Sequence, residues 1–240
     1  MSLLSVTGVS KRFGGIVANR TISFEVAPGE LVGIIGPNGA GKSTLFEIIT
    51  GFYHPDEGEV RLDGARLTGL SPDVVCRRGV ARTFQKLRPF PGLTVLDNVM
   101  VGALTRTHDV RHARERAREL VRKVGLADKA DAHGRTLSTG QRKRLELARA
   151  LATEPRVLLL DEVTGGVDQR TIPELVRLVR DLHAGGLTLL VIEHNMRVIT
   201  AVAQRILALH LGEVIADGAP DAVARDRRVV EAYLGQAYTR

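Results

Sequence analysis

Gly36-Pro37-Asn38-Gly39-Ala40-Gly41-Lys42-Ser43-Thr44 fits the pattern G-x-x-x-x-G-K-[ST], and its flanks carry as much information as the pattern itself. Leu31-Val32-Gly33-Ile34-Ile35 before it is a short apolar run that reads as a buried strand. Leu45-Phe46-Glu47-Ile48-Ile49-Thr50 after it reads as a helix. Strand, glycine-rich turn and helix are the context of a phosphate-binding loop. Glycines let the backbone turn its N–H groups onto an anion, helped by the positive end of the following helix. Lys42 then reaches the β- and γ-phosphates, and the Ser43 hydroxyl is placed to ligate Mg²⁺. A nucleoside triphosphate site is expected.

The chain has 240 residues, enough for one full core with a small subdomain. A single cysteine, Cys76, excludes an internal disulfide and fits a reducing compartment. No basic-then-apolar stretch opens the sequence. No apolar run reaches the roughly 18 residues that a membrane span needs. The nearest candidate, Ile199 to Leu211, is broken by Gln204 and Arg205. A soluble cytoplasmic protein is the expectation. The net charge of +7 is concentrated in two runs, Arg111 to Arg122 and Arg142 to Arg149. They read as a solvated basic face or as a surface near a membrane or partner. No aromatics interleave with them, so nucleic acid is not expected as a ligand.

Leu3 to Val6 and Ile22 to Val26 read as strands, and Gly58 to Gly64 as half of a hairpin. Phe13 sits on a glycine-rich connection, as core or as a platform for a base. From Arg88 to about Thr136 the character turns helical. Val110 to Val124 carries Ala113, Ala117, Leu120, Val121 and Val124 on one face. A helix from Thr139 to Ala152, a strand from Val157 to Leu160, a helix opening near Pro173 and a strand from Leu187 to Ile192 follow. Such alternation predicts an α/β fold with a mostly parallel sheet covered on both faces.

Asp161 and Glu162 end a buried strand, the edge where such sheets bind ligands. Asp161 is the expected Mg²⁺ partner, and Glu162 is placed to polarise a water against the γ-phosphate. Leu137-Ser138-Thr139-Gly140-Gln141 opens the next helix with an N-cap serine. With this stretch the chain resembles the ATP-binding subunits of ABC transporters, whose signature is Leu-Ser-Gly-Gly-Gln. The resemblance runs from about Leu3 to Leu234.

That resemblance implies a P-loop NTPase fold: a mostly parallel core sheet, an N-terminal antiparallel β subdomain and a helical subdomain. Residues 1–240 would form one ATPase domain, with 88–136 as the helical insertion. ATP and Mg²⁺ would be bound, with Ser138, Gly140 and Gln141 of one subunit presented to the ATP of a second. Gln85 would sense Mg²⁺ and the γ-phosphate, His194 would contact the γ-phosphate, and Asp168 would cross the dimer interface. Phe13 would stack on adenine. Three positions depart from the usual pattern beside that machinery: Val163 follows Glu162, Gln169 follows Asp168, and Asn195 follows His194. Thr139 adds a side chain at a tight point of the signature.

Arg82 to Phe90, Thr50 to Pro55, Ile192 to Met196 and Val230 to Gly235 resemble branched-chain amino-acid importer ATPases, with urea importers and lipopolysaccharide exporters nearby. The resemblance implies permease subunits, a second ATPase that is identical or distinct, and, indirectly, a periplasmic or extracellular substrate-binding protein. The location would be the inner face of the cell membrane. Leu87, Phe90 and Leu93 are either contacts for a permease helix or part of the helical core. A soluble ABC ATPase acting on DNA or ribosomes would need a second cassette or a long heptad insertion. A GTPase would need Asn-Lys-x-Asp. The sequence has none of these.

Overall fold

Leu31–Ile35, Val157–Asp161 and Thr188–Ile192 are buried at every position. Continuous branched aliphatics suit strands with both faces covered, and these three lie side by side and parallel at the centre of the larger sheet. The computed structural model describes residues 2–84 and 89–234.

In chain order, β1 (Leu4–Phe13) and β2 (Ile16–Val26) form a hairpin, and β3 (Leu31–Ile35) runs into α1 (Lys42–Ile49). A second hairpin, β4 (Glu57–Leu62) and β5 (Ala65–Arg66), leads through α2 (Pro72–Arg78) to β6 (Val80–Arg82). Then come α3 (Val95–Ala103), α4 (Val110–Lys123) and α5 (Thr139–Ala152). The rest is β7 (Val157–Asp161), α6 (Ile172–Ala184), β8 (Thr188–Ile192), α7 (Met196–Val202), β9 (Arg205–His210), β10 (Glu213–Gly218), α8 (Pro220–Arg225) and α9 (Arg227–Leu234). The antiparallel sheet has the order β2-β1-β4-β5, and the larger sheet β10-β9-β3-β8-β7-β6, parallel except for β10.

Alternation along the central strands splits the core in two. Val32, Ile34, Leu159, Leu190 and Leu207 pack with Phe46 of α1 and with the antiparallel sheet. Leu31, Ile35, Leu158, Leu160 and Val191 pack on the other face with residues of α5 and α6. Each such side chain contributes about 1.5–3 kcal/mol on burial. Gly33 of β3 is small for a packing reason. A Cβ there would lie 2.6 Å from a side-chain carbon of Ile199.

The helical layer is built as its periodicity predicts. Ala113, Ala117, Leu120 and Val121 of α4 are buried, and Asp109 caps its first turn through the N–H groups of Arg111 and His112. Thr94 caps α3 by accepting from Asp97.

Several elements differ from the sequence reading. β1 and β2 are longer than the predicted strands because their polar outer positions conceal the ladder. Phe13 is therefore the last residue of β1 rather than part of a loop. The apolar stretch Ile199 to Leu211 divides into the end of α7 and β9. Gln204 and Arg205 mark the division: Gln204 accepts from Leu31 N–H at 3.1 Å, and Arg205 pairs with Asp217 and Glu30. Among the described residues no helix is long and apolar enough to cross a membrane. The second basic run is largely engaged. Arg142 and Arg144 donate to the carbonyls of Arg135 and Val124, Arg144 also pairs with Glu174, and Arg149 lies 4.6 Å from the Phe90 ring centroid.

Candidate nucleotide site

The loop between β3 and α1 is pressed between two other segments. A Cβ on Gly36, whose φ is +149°, would stand 2.1 Å from the Leu209 carbonyl oxygen at the end of β9. One on Gly41, with φ of +95°, would stand 2.2 Å from the Ala18 carbonyl oxygen in β2. Asn19, wholly buried, donates to the Gly41 carbonyl at 3.1 Å. The loop's path is thus set by backbone packing. Asn38, Gly39 and Ser43 face solvent, Thr44 is half-buried, and Pro37 and Ala40 are buried.

Lys42 is buried, and its ammonium donates to the carbonyls of Gly36 at 2.6 Å and Pro37 at 2.9 Å. Burial pulls its pKa down, and the nearby charges of Glu162 and Asp161 partly offset this. The same electrostatics place those two carboxylates beside the loop.

Asp161 ends β7, buried. Its Oδ2 accepts from Arg82 Nη2 at 3.0 Å, and its N–H donates to the Thr83 hydroxyl at 3.1 Å. Burial pushes its carboxyl up in pKa, against the pull of Arg82. Its Oδ1 is buried with no hydrogen-bond partner among the described residues. Such an orphaned acceptor suits a metal-bound water, and Mg²⁺ commonly takes one or two carboxylates plus water and phosphates. Among the described residues no three His, Cys, Asp or Glu side chains gather into a cage. Ser43 and Asp161 with the nucleotide's phosphates are therefore the donor set that fits.

Glu162 follows in a left-handed backbone conformation, φ +51°, where a side chain is strained. Its Oε1 lies 2.7 Å from Nε2 of the exposed His194. Its carbonyl accepts from Lys143 of α5 at 2.5 Å. Val163, one of the departures, is buried in the core beside it. Thr164 donates its N–H and hydroxyl to Glu193, at 2.9 and 3.0 Å.

Ser138 caps α5 reciprocally with Gln141, and the serine and Thr139 are exposed. Within the chain the tight position is Gly140 rather than Thr139. A Cβ on Gly140 would meet Thr171 at 3.0 Å. Asp168 is exposed and accepts from the Arg170 N–H at 3.0 Å. Phe13 is 41% exposed and meets Tyr53 edge-on at 5.1 Å, so it is not a core residue. Gln85 and Leu87 lie outside the described residues. Phe90 and Leu93 are exposed.

Sequence reasoning assigned no role to Asn19, Arg82, Lys143 or Glu193. Arg82 is the most consequential of them. Its guanidinium sits 4.9 Å from the Phe84 ring centroid and 6.0 Å from those of Phe46 and Phe52. It also lines a cleft of about 520 Å³ together with Phe52, Phe84, Phe90, Val101 and Arg149.

The chain that carries this loop, the Asp161-Glu162 pair, His194 and the capped Leu-Ser-Thr-Gly-Gln helix is similar to known proteins over nearly its whole length. The ABC transporter family model matches residues 19–165. This chain belongs to the ABC transporter ATP-binding family. A second family model, branched-chain amino acid ATP-binding cassette transporter, matches residues 213–239 of this ABC ATPase. The high-affinity branched-chain amino acid transport ATP-binding protein LivG of Escherichia coli K12 is 37% identical over 98% of both chains. The lipopolysaccharide export system ATP-binding protein LptB of Acidithiobacillus ferridurans is 36% identical, also over 98% of both. Among solved structures, the ADP conformation of the ATP-binding cassette MJ1267 superposes with a TM-score of 0.88 at 32% identity, covering 98% of this chain and 99% of that one. The ABC ATPase described here binds ATP and couples its hydrolysis to transport.

Proposed function

We propose that this ABC ATPase energises import of branched-chain amino acids from the inner face of a cell membrane. The match of residues 213–239 to the branched-chain amino-acid cassette model carries the reading. Near-equal identity to LptB makes lipopolysaccharide export the second reading, since an ATPase subunit does not touch the solute.

In the proposed cycle the loop Gly36 to Thr44 takes the triphosphate, with Lys42 on its β- and γ-phosphates and Phe13 against adenine. Ser43 and Asp161 would hold a Mg²⁺ that neutralises phosphate charge, and the family resemblance assigns Gln85 to sensing it. Glu162 accepts the proton of an attacking water, and His194, 2.7 Å away, orients that carboxylate and reaches the γ-phosphate. The exposed Ser138, with Gly140 and Gln141 of the same helix start, serves the ATP of a second ATPase subunit, and Asp168 lies along the contact between the two. ATP binding then favours the closed pair over the open one. The cleft lined by Arg82 and Phe90 receives a cytoplasmic segment of the permease.

Purification from native membranes in mild detergent, with partners identified by mass spectrometry, tests the reading. Recovery with two permeases, a second ATPase and an amino-acid-binding protein supports it. Recovery with lipopolysaccharide-export permeases overturns the substrate and leaves the ATPase in place.

A further inference from the structure

The backbone of Gly36 is held on both sides of its Cα. Its carbonyl accepts from Lys42 at 2.6 Å, and its N–H donates to the Tyr233 hydroxyl at 2.8 Å. Tyr233 lies in α9, the last helix, within the segment that matches the branched-chain cassette model. The β3–β9 ladder ends with the pair Ile35 and Ala208. Gly36 follows directly on the last residue of β3, and its N–H is met by the Tyr233 phenol rather than by a strand. The ring packs against the core, and Val229 and Ala232 of the same helix are buried. The hydroxyl is consequently held by packing that has nothing else to do with the phosphate loop.

The two holds differ in what nucleotide does to them. An ammonium prefers phosphate oxygens to neutral carbonyls, so arriving phosphates draw Lys42 away from Gly36 and Pro37. The tyrosine hydroxyl is neutral, and burial keeps it protonated by pushing its pKa up. It has no reason to follow. We propose that Tyr233 is a positioning residue for nucleotide binding: α9 fixes the first glycine of the phosphate loop once Lys42 has left it for the phosphates. Docking of α9 and binding of ATP then favour one another to the same degree. The inference is independent of the solute transported.

Tyr233→Phe tests this, because it keeps the ring and removes only the acceptor. ATP affinity by calorimetry, steady-state ATPase kinetics and the thermal midpoint without nucleotide are measured on the purified full chain. The expected result is an ATP Kd and KM raised about five- to thirty-fold, with kcat within about twofold. The midpoint should move little, since Lys42 still holds the loop when nucleotide is absent. A Kd and KM within about twofold of the wild type would overturn the proposal, whatever the midpoint does. Hydrogen exchange of residues 227–234 gives a second reading on the wild-type chain. Slower exchange with ATP supports the coupling, and identical exchange with and without ATP overturns it.

Discussion

Lys143 donates its ammonium to the backbone carbonyl of Glu162 at 2.5 Å, from a buried position on α5. The acceptor belongs to a residue whose φ of +51° is uncommon for a side-chain-bearing residue. Strain of that kind costs roughly 1–3 kcal/mol and persists where surrounding contacts over-determine it. Lys143 supplies one such contact. Lys143→Met keeps the stem and removes the donor. We expect kcat to fall about tenfold with ATP affinity within about twofold, and Lys143→Arg to restore part of the loss. Unchanged kcat in the methionine variant would count against the tether.

Glu162→Gln keeps the shape of the side chain and removes the proposed base. Turnover should fall about a hundredfold or more while ATP still binds. Size-exclusion chromatography with ATP should then show a lasting dimer. Wild-type turnover in this variant would sink the assignment.

The Arg82–Asp161 pair is buried on both sides, at 7% and 2% exposure. Removing one partner of such a pair costs about 3–5 kcal/mol. For Arg82→Met the loss should fall toward the lower end, because Asp161, with its pKa already pushed up by burial, can take a proton. In a double-mutant cycle with Asp161→Asn the two losses should not add. Denaturant unfolding of the four proteins measures this, and strict additivity would show that the pair is not coupled.

Glu193 titrates above its ordinary range because burial outweighs the two bonds from Thr164. In the unfolded chain it titrates near about 4.3. Between that value and the folded one, the folded state binds more protons. Its contribution is therefore fully present below the unfolded pKa and lost as pH rises through the folded one. Glu193→Gln does not titrate, so the stability difference should move in the variant's favour across that window and level off above it. Thermal or urea unfolding from about pH 4 to 8 checks the sign, and a difference independent of pH would refute it.

The parts legible in the sequence were those whose signal is local. The phosphate loop announced itself by pattern and flanks. The central strands were visible because every position of Leu31–Ile35 and Thr188–Ile192 is buried. The helix Thr139–Ala152 was bounded by its cap at Ser138 and by Pro155 beyond it. Arg82 gave no such signal, since its partner lies 79 residues along the chain. Lys143 was hidden in a run of cations, and nothing local distinguishes an inward lysine from solvated neighbours. β9 was masked because a helix end and a strand share one apolar stretch, interrupted only by Gln204 and by Arg205 at the strand's start.

The signature helix has two kinds of neighbour. Its capped N-terminus at Ser138 is exposed, while Lys143, about one and a half turns along, grips the carbonyl of Glu162. In the proposed pair of subunits, one rigid rod would touch the triphosphate of one reaction centre and the hydrolytic glutamate of the other. The two centres could not then keep independent time. What happens at one phosphate would be felt at the counterpart's glutamate through the stiffness of a single helix.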